Sequence, residues 1–328
     1  MYTLGIETSC DETSCAVVKG YKVLANVTLS SLREHKKYGG VIPEIATRAH
    51  LNNIDKVTRL ALEDAGIALK KIGLISVTAK PGLIGALVVG LNFSKALSLA
   101  LEKPFIGVDH LLAHLFAPFL DNQQALEFPF LGLVISGGHT QIYRIDDFDR
   151  VKIIGSTRDD ACGEVFDKVA VNYGLDYPGG PQIDKLFKRS FRTKHKFKCG
   201  REGFNLSFSG IKTALVYKKI ELEKRGVFNE RVRQEILSSF QHTVFETVVS
   251  AVKEAARKLK IKTIVCGGGV MANSYLRRLL EAEKKEGSKI FISPKRFCTD
   301  NAAMVAGLGF YLYNKRGLRT SLALEAKD

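Results

Sequence analysis

Apolar and polar positions fall into blocks along the chain. Residues 2–8 alternate small or polar residues with Leu4 and Ile6 as a strand does, residues 9–14 form a polar turn, and two further apolar runs follow at 15–19 and 23–29. This pattern predicts a meander of three strands whose first loop carries carboxylates and hydroxyls. After Pro43 the apolar positions recur at mostly helical spacing and stop near Gly66, as a helix ending on glycine would. A buried strand is expected at 72–78, a helix at 86–101, a short strand at 105–108 and a helix at 110–120. Near Phe128 the pattern restarts. Strands at 130–135 and 141–145 flank the small polar turn Ser136-Gly137-Gly138-His139-Thr140, the same device as residues 2–19. Helices at 161–173, 211–224 and 231–260, a strand at 263–266, and helices at 273–285 and 301–314 complete the expectation. Two strand-turn-strand units, each followed by mixed strands and helices, predict a duplicated α/β architecture of two lobes rather than one doubly wound sheet. The expected lobes are residues 1–127 and 128–300, with 301–328 a last helix packing back on the first lobe.

Length agrees with this division, since 328 residues make two lobes of roughly ordinary domain size. Each apolar run is interrupted before the roughly 18 residues a spanning helix needs, so no membrane is expected. The start, Met1-Tyr2-Thr3-Leu4-Gly5, has no basic region and soon reaches Glu7 and Asp11, which predicts a cytoplasmic chain rather than a secreted one. Six cysteines without a CxxC pair point to reduced packing thiols. Charge changes the picture more. With 49 Lys and Arg against 34 Asp and Glu, the net charge is +15, as expected of a protein that meets a polyanion. From 185 to 201 there are eight basic residues, His195 and no acid, with Phe187, Phe191 and Phe197 between them. The rings either stack on unpaired bases or anchor the segment to its own core.

His110-Leu111-Leu112-Ala113-His114 sets two imidazoles one helical turn apart, a spacing that lets both bind one ion. Leu111 stands where a zincin metallopeptidase has its glutamate, which disfavours peptide hydrolysis by that route. Asp300, just before the last helix, is either an N-cap or a third, oxygen ligand. Three loops rich in small residues, at 8–13, 136–140 and 267–269, are candidate phosphate or nucleoside cradles. Pro178-Gly179-Gly180-Pro181 predicts a rigid loop presenting Asp184 at the start of a helix.

These motifs, in order, resemble the bacterial TsaD family, the tRNA N6-adenosine threonylcarbamoyltransferases once described as O-sialoglycoprotein endopeptidases. The resemblance is carried by residues 5–13, 38–44, 81–87, 110–114, 134–141, 166–168, 175–181, 208–213, 267–273 and 298–301, nearly the whole chain. It implies the actin, Hsp70 and sugar-kinase type of fold with an active site in the interlobe cleft. It also implies transfer of a threonylcarbamoyl group from threonylcarbamoyl-AMP to N6 of the adenosine 3′ to the anticodon, in tRNAs reading codons that begin with A.

By motif, the resemblance assigns one divalent ion, iron or zinc, to His110, His114 and Asp300. Val134, Ile135, Ser136, Gly137 and Gly138 would take the phosphate and carbamoyl region, and Asp167, Gly180, Asp184 and Asn273 the nucleoside, with ATP, ADP or AMP as other occupants. Asp11 and Glu12 would orient the amine or relay its proton. The family often has Glu where this chain has Leu112, a position that is not a ligand. Implied partners are tRNA, the paralogue TsaB on the first lobe, the P-loop ATPase TsaE, and TsaC as source of the adenylate. The rival classes are a metallopeptidase, an ATP-binding regulatory protein or kinase of the same fold, and a non-catalytic RNA-binding subunit.

Overall fold

The computed structural model describes residues 1–122, 126–284 and 288–328. Two compact units emerge, Met1–Leu126 with Ser293–Asp328, and Glu127–Ile292. Residues 293–300, expected with the second lobe, therefore group with the first. The physical reason is local: Asp300 bonds to His110 and His114, and the helix that follows it packs against strands of the first unit.

The first unit opens with β1 (Tyr2–Glu7), β2 (Glu12–Lys19) and β3 (Lys22–Ser30), followed by a short helix α1 (Leu32–His35). Helix α2 (Pro43–Ala65) starts with proline at its first position and stops at Gly66, whose φ of 65° is open to glycine at little cost. Then come β4 (Ile72–Lys80), α3 (Ile84–Leu101), β5 (Phe105–Asp109) and α4 (His110–Phe116). The sheet runs β3-β2-β1-β4-β5, antiparallel through the meander and parallel from β1 through β4 to β5.

By length and composition α3 is long and apolar enough to cross a membrane, against the expectation that no run reaches that length. Its one charge, Lys95, and its scattered Asn and Ser residues leave the mean hydropathy at 1.7. Leu87, Gly90, Leu91 and Ser94 on its inner face are buried where it packs on β4 and α2.

In the second unit β6 (Phe130–Ile135), β7 (Thr140–Asp147) and β8 (Arg150–Ser156) form another antiparallel meander. Helices α5 (Cys162–Asn172) and α6 (Gly179–Leu186), the small hairpin β9 (Gly200–Glu202) and β10 (Asn205–Ser207), and helices α7 (Ser209–Lys224) and α8 (Glu230–Leu259) follow. Strands β11 (Thr263–Gly267) and β12 (Lys289–Ile292) flank α9 (Ser274–Ala282); the expected end of that helix at Lys285 lies outside the described residues. The sheet order β8-β7-β6-β11-β12 repeats the first sheet strand for strand. Stacked Phe166 and Phe245, with Phe240 beside them, fill the core under α5 and α8.

The chain ends in the first unit with α10 (Ala302–Arg316), buried along most of its length. It lies so close to β1 that a Cβ on Gly5 would come 2.2 Å from the Ala302 carbonyl oxygen. Gly5→Ala is expected to cost about 1–3 kcal/mol. An unchanged denaturation midpoint in that variant would contradict this packing.

Candidate functional site

Two helix caps fix the residues of the HxxxH motif and Asp300. The Asp109 carboxylate accepts from the Leu111 and Leu112 backbone N–H groups, so α4 starts at His110 directly off β5. The two imidazoles then sit one turn apart, with ring centroids 4.6 Å from each other and planes at 80°. On the other side Asn301, not Asp300, caps α10: its side-chain oxygen accepts from Met304 N–H, and its Nδ2 donates to the carbonyls of Phe297 and Thr299. Asp300 is thereby freed from capping and turned to the histidines. Its Oδ1 lies 3.3 Å from His110 Nε2 and 3.1 Å from His114 Nε2.

The cluster has an outer support that the sequence reading did not single out. Glu7, the one acid in β1 and fully buried, accepts from Ser9 N–H at 2.6 Å, from the Thr78 hydroxyl, and from His110 Nδ1 at 3.1 Å. Ser9 Oγ is also 3.2 Å from His110 Nδ1. A carboxylate at Nδ1 holds the proton there and leaves Nε2 as the ligand atom. Burial pushes His110 toward neutrality, but the carboxylates of Asp300 and Glu7 outweigh it and raise its pKa well above the usual value. His114 is lowered by burial, and its Nδ1 is buried without a hydrogen-bond partner among the described residues. Two imidazoles and a carboxylate, with ligand atoms within 4.8 Å of one another, are a donor set that fits iron or zinc with positions left open.

The 8–13 loop, predicted as a phosphate cradle, spends its polar groups within the first unit. Thr8 Oγ1 donates to Ala86 O, Cys10 O faces His50 Nε2 at 3.0 Å, and Thr13 Oγ1 meets His50 Nδ1 at 2.8 Å. Of its two candidate acids, Glu12 has its pKa raised well above the usual carboxylate value, first by burial and then by the charges of Asp300 and Asp11. Asp11 accepts from the Ser30 hydroxyl at 3.5 Å.

The other candidates lie in the second unit. Val134 and Ile135 are fully buried in β6 and paired in its ladders, so neither presents a side chain to a ligand, whereas Ser136, Gly137 and Gly138 stand at the turn. The α5 N-terminus braces this turn from below through Gly163 N–H to Ser136 O and Glu164 N–H to Gly137 O. Added Cβ atoms at Gly137, Gly138 or Gly180 would meet nothing within 4 Å, and those positions face open space. Gly268 differs: at φ 99° its Cβ would come 2.4 Å from Ile135 O, so the 267–269 turn rests against the end of β6. Asp167 accepts from Gly179 N–H at 2.7 Å and Gly180 N–H at 3.4 Å. Asp184 lies within α6 rather than at its start, because Gly179 and Gly180 already belong to that helix. Its carboxylate accepts from Ser274 N–H at 2.9 Å and from Gln241 Nε2 at 3.4 Å, while Asn273 caps α9 and donates to Gln241 Oε1. Buried Gln241 is a further member of this network.

The family model of the tRNA N6-adenosine threonylcarbamoyltransferases, TsaD, matches residues 22–307. This chain belongs to that family. Curated threonylcarbamoyltransferases from Thermosipho africanus and Dictyoglomus turgidum are 47% and 48% identical to it over 99% of this chain and 98% and 97% of theirs. One from Treponema denticola is 46% identical over 99% and 96%. The fold recurs in solved structures at low identity. Full-length HypF superposes with a TM-score of 0.61 at 15% identity over 98% of this chain, which spans 47% of the HypF chain. Component A of the Acidaminococcus fermentans (R)-2-hydroxyglutaryl-CoA dehydratase gives 0.53 at 17% identity, over 97% of this chain and 100% of that one. The duplicated actin, Hsp70 and sugar-kinase type of fold expected from the sequence is therefore the fold found. As a TsaD protein the chain is an acyltransferase that places a threonylcarbamoyl group on N6 of a tRNA adenosine.

Proposed function

We propose that the donor is threonylcarbamoyl-AMP and the acceptor the adenosine 3′ to the anticodon in tRNAs reading codons that begin with A, a reaction of the cytoplasm. The observation that carries the site assignment is the convergence of His110, His114 and Asp300, with His110 oriented from behind by Glu7. These three side chains would hold one iron or zinc ion, which supplies Lewis acidity toward an oxygen of the donor. Gly137 and Gly138 offer backbone N–H groups and open space to phosphate beside Ser136, whose own N–H is donated to His139 O, and Asp167, Gly180, Asp184 and Asn273 offer polar edges to the nucleoside. ATP, ADP or AMP would compete for the same surface.

The donor is already a mixed anhydride, so positioning and charge stabilisation dominate the catalytic demand. The N6 nitrogen bonds to the carbamoyl carbon, the bond from that carbon to the phosphate oxygen breaks, and AMP leaves with the electron pair. Nitrogen loses one proton. Asp11 and Glu12 are the acids assigned to orient the amine and pass that proton on. The test is nucleoside mass spectrometry of unmodified tRNA incubated with threonylcarbamoyl-AMP, this protein and its partners. Threonylcarbamoyladenosine should appear only when the protein is present. Its absence with active partners would sink the donor assignment.

For the partners, the outer face of α3 supports a docking surface for the paralogue TsaB. Ile84, Val88 and Leu99 are 48%, 40% and 65% exposed, and Leu51 on neighbouring α2 is 62% exposed, more large apolar area than a solvated helix needs. TsaE would join the assembly and TsaC would supply the adenylate. Leu99→Asp with Val88→Asp should weaken TsaB binding at least about tenfold. Calorimetric titration checks this, and an unaltered affinity would move the interface elsewhere.

A further inference from the structure

We propose that a pocket between the basic segment and α8 is a phosphodiester subsite that grips the tRNA backbone. It rests on tRNA being the substrate and adds where, in the second unit, the RNA is held. The cavity measures about 450 Å³, and Arg192, His195, Lys196, Phe197, Lys198 and His242 line it.

The segment is built so that its main chain is tied down and its charges are left out. A polar row on α8 holds the backbone: Gln234 Nε2 donates to Leu186 O at 2.7 Å, Lys188 N–H to Ser238 Oγ at 3.1 Å, Ser239 Oγ to Phe191 O at 2.8 Å, and His195 N–H to Ser239 Oγ at 3.1 Å. Phe187 stacks on Tyr275, with centroids 4.2 Å apart and planes at 28°. That ring is an anchor, not a face for a base. Phe197 is half-buried beside His195. Meanwhile Lys185, Lys188, Arg189, Lys194, Lys196 and Lys198 are exposed. Among the described residues none of these, nor Arg192, has a carboxylate within 4.0 Å. Arg201, bonded to Glu254, is the exception in the segment.

Inside the pocket a guanidinium, two ammonium groups and two imidazoles share one small volume. Among the described residues the buried Nε2 of His195 has no hydrogen-bond partner, Glu235 being 3.9 Å away. Burial lowers the pKa of both imidazoles; Lys218 lowers His195 further against Glu235, while His242, whose Nδ1 meets Tyr275 Oη at 2.7 Å, has Glu246 3.9 Å away raising it and Arg192 lowering it. A phosphate group would supply the counter-charge that Arg192, Lys196 and Lys198 lack among the described residues and would accept from several donors at once. RNA fits better than a membrane, since the segment's aromatic rings are half-buried and no large apolar side chain of the segment is exposed.

The test compares two variants of equal charge loss in the full-length protein, by fluorescence anisotropy with unmodified tRNA over a salt series. Arg192→Gln/Lys196→Gln/Lys198→Gln removes the pocket's cations, and Lys185→Gln/Lys188→Gln/Lys194→Gln removes three outside it. The pocket variant should bind about tenfold more weakly, with the salt slope reduced by about 2, while the control changes much less. A milder Lys196→Gln/Lys198→Gln variant should fall between, which guards against misfolding of the triple. Equal losses in the two triples would replace the pocket with a diffuse field and overturn the proposal, as would wild-type affinity in the pocket variant. Tighter, pocket-dependent binding of polyglutamate than of tRNA would assign the site to an acidic protein instead. Failure of the unaltered protein to bind tRNA would remove the underlying substrate reading itself.

Discussion

An Asp300→Ala variant is expected to lose bound iron or zinc to background, measured by plasma mass spectrometry, and to lose at least about a thousandfold in threonylcarbamoyl transfer. The magnitude follows from the several kcal/mol that a bound ion contributes to charge stabilisation, at about 1.4 kcal/mol per tenfold in rate. Among the described residues Asp300 is the one carboxylate in the candidate metal cluster, and its Oδ1 contacts both histidines. Its removal does more than delete one bond. Asp300, ahead of Glu7, raises the pKa of His110 against burial, so its removal also takes away negative charge that would favour a cation at the histidine Nε2 atoms. The turn itself should survive, because Asn301 holds it through Phe297 O, Thr299 O and Met304 N–H. A thermal melt near that of the unaltered protein is therefore expected beside the lost activity. Full metal content and activity in Asp300→Ala would remove the metal assignment altogether.

Asp300 also shows where a sequence stops being decisive. An acid just before a helix reads equally as a cap or as a ligand, and only the neighbouring Asn301, taking the capping role, separates the two. The HxxxH pair was legible because one helical turn is a fixed geometry, and the meanders were legible because β1, β2 and β6 are buried along almost their whole length and β7 mixes buried with half-buried positions. Strands β8 and β12 were not foreseen. One is a largely exposed edge strand and the other has four residues, so neither carries a strong apolar signature. The return of the chain to the first unit at Ser293 depends on contacts of α10 with β1, β2 and β4, which no local pattern encodes. Asp184 was misplaced by a few residues because a Pro-Gly-Gly-Pro run reads as a loop, while here Pro178 precedes a helix that already includes both glycines.

Glu7 is the residue whose role was least visible and whose replacement tests the design of the site most directly. It reads as the end of a buried strand, yet beside Ser9 N–H and the Thr78 hydroxyl its carboxylate meets His110 Nδ1. Burial opposes its charge, but the His110 ring and the Ser9 contact hold its pKa below the usual carboxylate value. In Glu7→Gln the shape is kept and one amide oxygen can still accept from Ser9 N–H or Thr78. The amide nitrogen, however, is a donor, and a donor facing Nδ1 favours the tautomer with its proton on Nε2, the atom needed for the ion. The expected result is a loss of about 10–100-fold in metal affinity, read by cobalt absorbance against a competing chelator, with little change in the melt. Glu7→Ala should instead lower stability by about 3–5 kcal/mol, since it strands a buried partner. If Glu7→Gln bound cobalt as tightly as the unaltered protein, Glu7 would be a structural strand-end acid, and the orientation of His110 would have to come from Ser9 alone.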